Sequence, residues 1–342
     1  MFRARTRMTH ERDSRAHGPP STGPDSGQAS LLILGDRANL LIVREAFRWT
    51  RRYQDFKERL GMSDAVLASR LHDLVDLGVL RTEQYSERPP RFEYRLTECG
   101  IDFWKTAIGV WEWERRWSHR TYGRLPELTH LVGGHQATID FGCGGCSTSG
   151  VTARDLSIDV EHAVETIAKR PLRCYRRASG KPSASIDLHS EIDPLLGDRW
   201  TVATLAAALI GVDRFADFQR ALDISPPLLS KRLAELVKRE VLERVMVADG
   251  GHHHRYRLLP KGLDLMPILI ANFAWANRWF PVDGGTTVAI THVACHDELI
   301  PAWFCSQCGK ELERSTITFN ISRSSGHQVA TRTRKRVKVT LW

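Results

Sequence analysis

The amino-acid sequence predicts an α+β fold that is built twice in tandem along one chain of 342 residues. The first observation is a long repeat: Leu34-Gly35-Asp36-Arg37 recurs as Leu196-Gly197-Asp198-Arg199, an offset of 162 residues. The register holds without a gap to Tyr94-Arg95-Leu96 and Tyr256-Arg257-Leu258, and onward to a Cys-x-x-Cys pair in each copy. The second observation is the order of predicted elements in each copy, in which helices precede a hairpin and a long helix. Chance does not preserve one register over so many positions, so we interpret the chain as a duplication with copies of roughly 130 residues.

Composition and charge limit the kind of partner. The chain is 42% hydrophobic and 26% charged, enough apolar material for about two ordinary domains. It has 49 Lys and Arg against 40 Asp and Glu, a formal net charge of +9. This balance favours a polyanionic partner, either nucleic acid or an anionic membrane surface.

No segment predicts membrane insertion or export. The longest apolar candidate, 263–280, is interrupted by Asp264, Pro267 and Arg278. The arginines near the N-terminus are not followed by the apolar stretch of a secretory signal. We therefore expect no membrane partner and a cytoplasmic, nucleoid-associated location. The seven cysteines should then be thiols or metal ligands, not disulfides.

Helical periodicity marks the first half of copy 1. Helices are predicted over 39–49 and 53–60, each with an apolar face. Ser63 is a good N-cap for a third helix that runs to about Asp76. Its apolar residues recur at the spacing i, i+4 and i+7, namely Leu67, Leu71 and Leu74.

A hairpin and a long helix follow. Residues 79–85 and 92–97 show the period-two pattern of strands, and the loop 86–91 between them is basic and stiffened by prolines. A helix is predicted over 98–117, whose aromatic residues need no explanation beyond core packing. Helix, turn, amphipathic helix and a basic-tipped hairpin, in that order, are typical of a winged helix-turn-helix domain.

This arrangement predicts sequence-specific binding to double-stranded DNA, because the second helix of the pair fits the major groove and the wing reaches the backbone or minor groove. The predicted recognition helices span 63–76 and 225–239. The helix residues expected to meet DNA are Ser63, Asp64, Ala65, Ser69, Arg70, Ser225, Ser230, Lys231 and Arg232. The expected wing residues are Arg88, Arg91, His252, His253 and Arg255. For Arg70 and Arg232, an ion pair beneath the helix agrees with the sequence equally well.

At these positions the chain resembles the HxlR-type winged-helix transcription regulators. The resemblance lies in the repeated Leu-Gly-Asp-Arg motif, in 66–71 and 228–233, and above all in 87–97, Glu-Arg-Pro-Pro-Arg-Phe-Glu-Tyr-Arg-Leu-Thr. It covers roughly 30–120 and 191–282 and implies DNA binding, pairing through the terminal helices and regulation of nearby genes. Relatives usually carry a cysteine just before the first helix; neither copy has one there, so a thiol switch does not carry over.

Cysteines and histidines after each winged helix predict metal sites. In copy 2 the spacing is His-x2-Cys-x9-Cys-x2-Cys, and four such ligands in two close pairs suit structural zinc. The predicted ligands of this site are His292, Cys295, Cys305 and Cys308. A second, weaker site is predicted in copy 1, where Gly133 replaces one cysteine and His135 is a substitute; its ligands are His130, His135, Cys143 and Cys146. The alternative is reduced cysteines without metal.

The full prediction is thus two tandem winged helix-turn-helix domains, each followed by a small zinc-ribbon-like β-hairpin. The predicted segments are a disordered basic arm (1–28), winged-helix domain 1 (29–120), hairpin 1 (121–160), a linker (161–190), winged-helix domain 2 (191–282), hairpin 2 (283–321) and a basic tail (322–342). The linker is long enough for the two copies to pair within one chain as a pseudo-dimer; a homodimer of chains is the alternative.

No residue pattern predicts catalysis, since no nucleophile motif, phosphate-binding loop or hydrolytic metal pattern is present. We therefore expect a non-enzymatic regulator. The rival hypothesis is a protein-interaction scaffold whose winged helices have lost DNA binding, and the acidic Asp64, Asp73 and Asp76 on the first recognition helix favour it.

Overall fold

The computed structural model describes residues 26–118, 125–158, 191–246, 254–281 and 289–320. The predicted basic arm up to residue 25, the linker 161–190 and the basic tail 322–342 lie outside the described residues. Within the described ranges, no helix has the length and apolarity needed to cross a membrane.

From residue 37 to residue 117, copy 1 has the predicted order of elements, and a helix over 26–34 that the sequence did not predict precedes them. Its described helices are α1 (Ser26–Leu34), α2 (Arg37–Phe47), α3 (Tyr53–Leu60), α4 (Asp64–Asp76), α5 (Glu98–Asp102) and α6 (Trp104–Trp117). Its described strands are β1 (Leu80–Glu87), β2 (Pro90–Leu96), β3 (Glu127–His130), β4 (His135–Gln136), β5 (Ile139–Cys143), β6 (Thr148–Ser149) and β7 (Leu156–Ile158). The hairpin β1–β2 is longer than predicted, and the predicted helix 98–117 is divided into α5 and α6 at Phe103.

Copy 2 repeats this order. Its described helices are α7 (Asp193–Leu196), α8 (Arg199–Leu209), α9 (Phe215–Leu222), α10 (Pro226–Lys238), α11 (Pro260–Leu263) and α12 (Met266–Trp279). Its described strands are β8 (Leu242–Met246), β9 (His254–Leu258), β10 (Ile290–His292), β11 (Asp297–Glu298), β12 (Pro301–Cys305) and β13 (Ile317–Asn320).

The helix-turn-helix pairs form where the sequence places caps and turns. Asp36 and Asp198 are the N-caps of α2 and α8: the Asp36 carboxylate accepts hydrogen bonds from two backbone N–H groups of its helix, and that of Asp198 accepts one from Thr201. The turn after α3 uses Gly61 at φ 57°, and copy 2 uses Asp223 at φ 47° in the same place. The inner faces of α3, α4, α9 and α10 are buried through matched apolar residues: Phe56, Leu67, Leu71, Leu74, Phe218, Leu229, Leu233 and Leu236.

The two copies pack against each other with an approximate two-fold symmetry. The indole of Trp113 in α6 donates a hydrogen bond to the carbonyl oxygen of Lys261 at 3.0 Å. The indole of Trp275 in α12, 162 positions later, donates to the carbonyl oxygen of Cys99 at 2.8 Å. A second matched pair, Trp117 with Asp264 and Trp279 with Asp102, has a donor–acceptor distance of 2.8 Å in both cases. The terminal helix of each copy therefore makes equivalent contacts with the other copy.

The repeated Leu-Gly-Asp-Arg motif lies at this junction. Asp36 and Asp198 face each other in an antiparallel bridge. A Cβ on Gly35 would lie 2.8 Å from the Cα of Arg199, and a Cβ on Gly197 would lie 2.8 Å from the Cβ of Arg37. The glycines are needed because the two chain segments cross at this distance, so the motif joins the copies.

Beyond the winged helices, the strands of the two copies are interleaved. The three sheets of this region, in strand order, are β11-β10-β7, β12-β5-β6 and β13-β3-β4. Each of them contains strands from both copies. In the central pair, β5 runs antiparallel to β12, with Phe141 opposite Trp303, its equivalent in the repeat. The predicted separate hairpins, 121–160 and 283–321, are therefore replaced by one shared unit.

Candidate nucleic-acid interface and metal centres

The first recognition helix, α4, presents a small, polar surface. Ser63, Asp64, Ala65 and Ser69 are all exposed, as predicted. The hydroxyl of Ser63 accepts a hydrogen bond from the backbone N–H of Val66 at 3.4 Å and caps the helix. Side chains of this size allow the close approach of a helix to base edges that groove binding requires.

Asp64 is partly neutralised within the structure. Its carboxylate lies 2.7 Å from the Lys57 ammonium and accepts a hydrogen bond from the Tyr53 hydroxyl at 3.0 Å. These two contacts, with Lys57 the larger, lower the pKa of Asp64 below its usual value. Of the three aspartates that favoured the scaffold hypothesis, Asp64 is therefore paired with a neighbouring cation at the helix start.

The second recognition helix, α10, differs in shape and charge. It begins with Pro226 and Pro227, which are exposed, and Ser225 precedes it without a capping hydrogen bond from its side chain. Lys231 and Lys238 are exposed on this helix together with Ser230, whereas the corresponding face of α4 has no lysine or arginine exposed. The two copies thus offer unlike surfaces at equivalent positions.

The wings have the predicted place in the fold. Arg88 and Arg91 are exposed at the tip of the hairpin β1–β2, where Glu87 pairs with Pro90. In copy 2 the tip lies outside the described residues, and with it His252 and His253. Arg255, near the loop end of β9, forms an ion pair with Asp213 at 2.8 Å, so its charge is partly balanced within the protein.

Arg70 and Arg232 are not on the exposed surface, which corrects their prediction as DNA contacts. The Arg70 side chain is 9% exposed and lies 2.9 Å from Asp36 and 3.0 Å from Asp73. The Arg232 side chain is 11% exposed and lies 2.8 Å from Asp198. Each arginine therefore joins a recognition helix to the N-cap of the helix beneath it, the alternative that the sequence had left open.

All eight predicted metal ligands lie in two groups of four, but not in the predicted combinations. The first group, which we call cluster A, consists of His130, His135, Cys305 and Cys308. The second, cluster B, consists of Cys143, Cys146, His292 and Cys295. Within each cluster the potential ligand atoms lie within 4.8 Å of one another. The predicted sets placed all four ligands of a site in one copy, whereas each cluster takes two from each copy.

The interleaved strands explain the regrouping. At the start of β5, Ile139 is opposite Cys305 of cluster A, and at its end Cys143 belongs to cluster B. The strand thus carries the cysteine pair of copy 1 away from His130 and toward the histidine of copy 2. Strand β12 runs antiparallel to β5, so its end places Cys305 beside the two histidines of copy 1 in cluster A.

Distances in both clusters fit a tetrahedral zinc centre. In cluster A, His135 Nε2 lies 3.2 Å from Cys305 Sγ, and His130 Nδ1 lies 3.4 Å from Cys308 Sγ. In cluster B, His292 Nδ1 lies 3.3 Å from Cys146 Sγ. Ligands at usual zinc bond lengths have nitrogen and sulfur about 3.6 Å apart around a tetrahedron. A metal ion therefore fits each cluster with only small side-chain movements.

For two of these residues, Cys146 and His130, the local environment favours the form that binds metal. Hydrogen bonding by Thr148 lowers the pKa of the Cys146 thiol to about 6. Burial lowers the pKa of His130, which favours the neutral imidazole. Thiolate sulfur and neutral imidazole nitrogen are the forms that bind zinc.

Sequence reasoning missed the partners of the buried arginines. Asp36 and Asp198 carry out three tasks at once: they cap α2 and α8, hold Arg70 and Arg232, and face each other at the copy junction. The repeated Leu-Gly-Asp-Arg motif could have indicated these partners, because it places an acidic residue at a helix start in both copies.

Two helix-turn-helix pairs with hairpin wings, packed through their terminal helices, define a duplicated winged helix-turn-helix protein. Residues 33–122 and 195–283, more than half of the chain, match the model of the HxlR-like helix-turn-helix family. The chain belongs to this family, with one family domain in each copy.

Several proteins resemble single copies of this chain. The uncharacterized HTH-type transcriptional regulator MT3179 of Mycobacterium tuberculosis is 33% identical over 124 residues, 36% of this chain and 78% of that protein. The uncharacterized HTH-type transcriptional regulator YvaP of Bacillus subtilis is 34% identical over 86 residues, 25% of this chain and 80% of that protein. The crystal structure of PA1607, a candidate transcription factor, aligns with a TM-score of 0.36 at 26% identity and covers 42% of this chain and 97% of that one.

Proposed function

We propose that this protein is a non-enzymatic transcription regulator that binds double-stranded DNA sequence-specifically through both of its winged helices. The observation that carries the proposal is the pairing of two helix-turn-helix units around matched Trp113 and Trp275 contacts within a single chain. Winged helices bind DNA in pairs so that two recognition helices enter successive major grooves, about 34–36 Å apart. Membership in the HxlR-like family and relatives described as transcriptional regulators support the same function.

The two half-sites of the operator should differ. The exposed face of α4 bears Ser63 and Ser69, whereas that of α10 bears two prolines and Lys231. Base edges are read by the side chains at these positions, and phosphate attraction depends on local charge. Copy 2 should therefore contribute more phosphate contacts through its recognition helix, and copy 1 should depend more on its wing, with Arg88 and Arg91.

We further propose that clusters A and B each hold a structural zinc ion. All four positions of each site are filled by protein ligands, which is typical of structural zinc and leaves no open position for catalysis. Because each cluster combines ligands from both copies, zinc would join the copies beyond their terminal helices. Its contribution would be to hold the two DNA-reading units in one relative position.

Selection of bound sequences from a random pool of duplex DNA tests the proposed function. We expect enrichment of one site with two unlike halves, bound in gel shifts with an affinity that falls as salt rises. A chain that enriches no sequence and binds duplex DNA no better than an albumin control would contradict the proposal. That result would favour the scaffold hypothesis.

A further inference from the structure

A large pocket lies between the second winged helix and the interleaved strands. It is lined by α1, α8 and α12 and is closed on one side by Leu156 and Ile158 of β7 and Ile290 of β10. Its volume is about 210 Å³. The pocket thus touches three parts of the molecule: the first helix of copy 1, the winged helix of copy 2 and the shared unit of strands.

The equivalent place in copy 1 is filled. There, α2 and α6 line a space of only about 20 Å³. The difference arises at matched positions of the repeat: copy 1 has Leu41 and Arg44 where copy 2 has Ala203 and Ala206. Protein interiors are normally packed as closely as organic crystals, so two alanines that keep a space open in one copy alone need an explanation.

The lining of the open pocket indicates the chemistry of its occupant. Among the described residues no charged side chain lines it, whereas the filled space in copy 1 contains both Arg44 and Asp193. Its wall is apolar except for Gln28, Ser30 and Asn272, and the Asn272 amide is hydrogen bonded to the Ser30 hydroxyl. The buried Asn272 Oδ1 has no hydrogen-bond partner within the described residues. An ion would lose its hydration here without a counter-charge, so the lining favours a neutral molecule.

We propose that this pocket binds a small, neutral, largely apolar effector with one hydrogen-bonding group, which the Ser30–Asn272 pair receives. An apolar cavity of about 150 Å³ takes up benzene. The larger volume here suits a one- or two-ring compound such as a naphthol or an indole.

The position of the pocket connects its occupancy to the recognition helix. Helix α8, which carries Ala203 and Ala206, packs directly on α10. A ligand between α8, α1 and the strands therefore contacts the element that sets the position of α10 relative to copy 1. Regulation of DNA affinity by the ligand rests on the proposed function, whereas binding of the ligand does not. Because coupling is reciprocal, DNA would change the affinity for the ligand by the same factor.

Calorimetry of the full-length protein with 2-naphthol, in the absence of DNA, tests the site. We expect saturable binding of one molecule per chain and a negative heat-capacity change. A203L, which gives copy 2 the residue of copy 1, and A206L, at the less buried edge, should each weaken binding by at least about tenfold. A216L, an exposed alanine on α9 outside the pocket, is the matched control and should bind as the unchanged protein does.

Each result has a definite meaning. Absence of saturable 2-naphthol binding, or equal affinity in A203L, A206L and A216L, would overturn the site. Gel shifts on the selected operator, with and without 2-naphthol, then test regulation; an unchanged DNA affinity at saturating 2-naphthol would overturn the effector role. Failure of the protein to bind DNA without 2-naphthol is a separate result, which concerns the proposed function alone.

Discussion

At the scale of single residues, four arginines of the winged helices have two different environments. Arg88 and Arg91 are exposed at a hairpin tip. Arg70 and Arg232 are nearly buried and paired with the N-cap aspartates beneath their helices. Arginine thus occupies the proposed DNA-contact positions at the wing tip, and elsewhere it attaches the recognition helix to the helix beneath it.

Removal of either exposed arginine, Arg88 or Arg91, should change the salt dependence of DNA binding. R88A and R91A should each weaken DNA binding and lower the slope of log affinity against log salt concentration by about 0.9, since one phosphate contact is lost. The slope is measured by fluorescence anisotropy on the selected operator. R154A, an exposed arginine in the shared unit of strands, is the control and should leave the slope unchanged. An unchanged slope in both wing variants would remove the wing from the interface.

Removal of a buried arginine such as Arg70 should lower the stability of the protein. R70A leaves the carboxylates of Asp36 and Asp73 without their cation, so the free energy of unfolding should fall by about 3 kcal/mol. R88A should change it by less than about 0.5 kcal/mol. Urea denaturation followed by circular dichroism measures both. Equal stability of R70A and R88A would show that the ion pairs beneath α4 do not hold the helix.

At the scale of elements, the sequence predicted most of the local structure but not the exchange of strands between the copies. The helices, the hairpins and the capping by Ser63 follow from patterns within a few residues of each other. The exchange of strands does not, because Ile139 pairs with Cys305 across more than 160 positions of chain. Either ligand grouping satisfies the Cys-x-x-Cys and His spacings, so spacing alone could not distinguish one-copy sites from the mixed clusters A and B.

Paired substitutions distinguish the two groupings by zinc content. In the structure, Cys146 and Cys295 belong to one cluster, so C146S/C295S should lose one of two zinc ions. C295S/C308S removes a ligand from each cluster and should lose both. One-copy sites would give the reverse result. Metal content of the purified protein is measured by mass spectrometry, with C99A as the control outside both clusters. Protein of full stability without any zinc would contradict structural metal altogether.

At the scale of the whole molecule, one chain contains what a homodimer would otherwise supply. The matched contacts of Trp113 with Lys261 and Trp275 with Cys99 are the kind that two identical subunits would form. The duplication lets the two halves diverge, which a homodimer of identical chains cannot do. The differences between α4 and α10, and between the filled space and the open pocket, are the consequences seen here.

The stoichiometry of the protein on its selected operator tests the central claim, that one chain reads two unlike half-sites. Sedimentation velocity of the complex, combined with hydroxyl-radical footprinting of the same DNA, gives the number of chains and the protected segments together. We expect one chain per duplex and two protected segments of different sequence, about one helical turn apart. Two chains bound to a perfect inverted repeat would contradict the account.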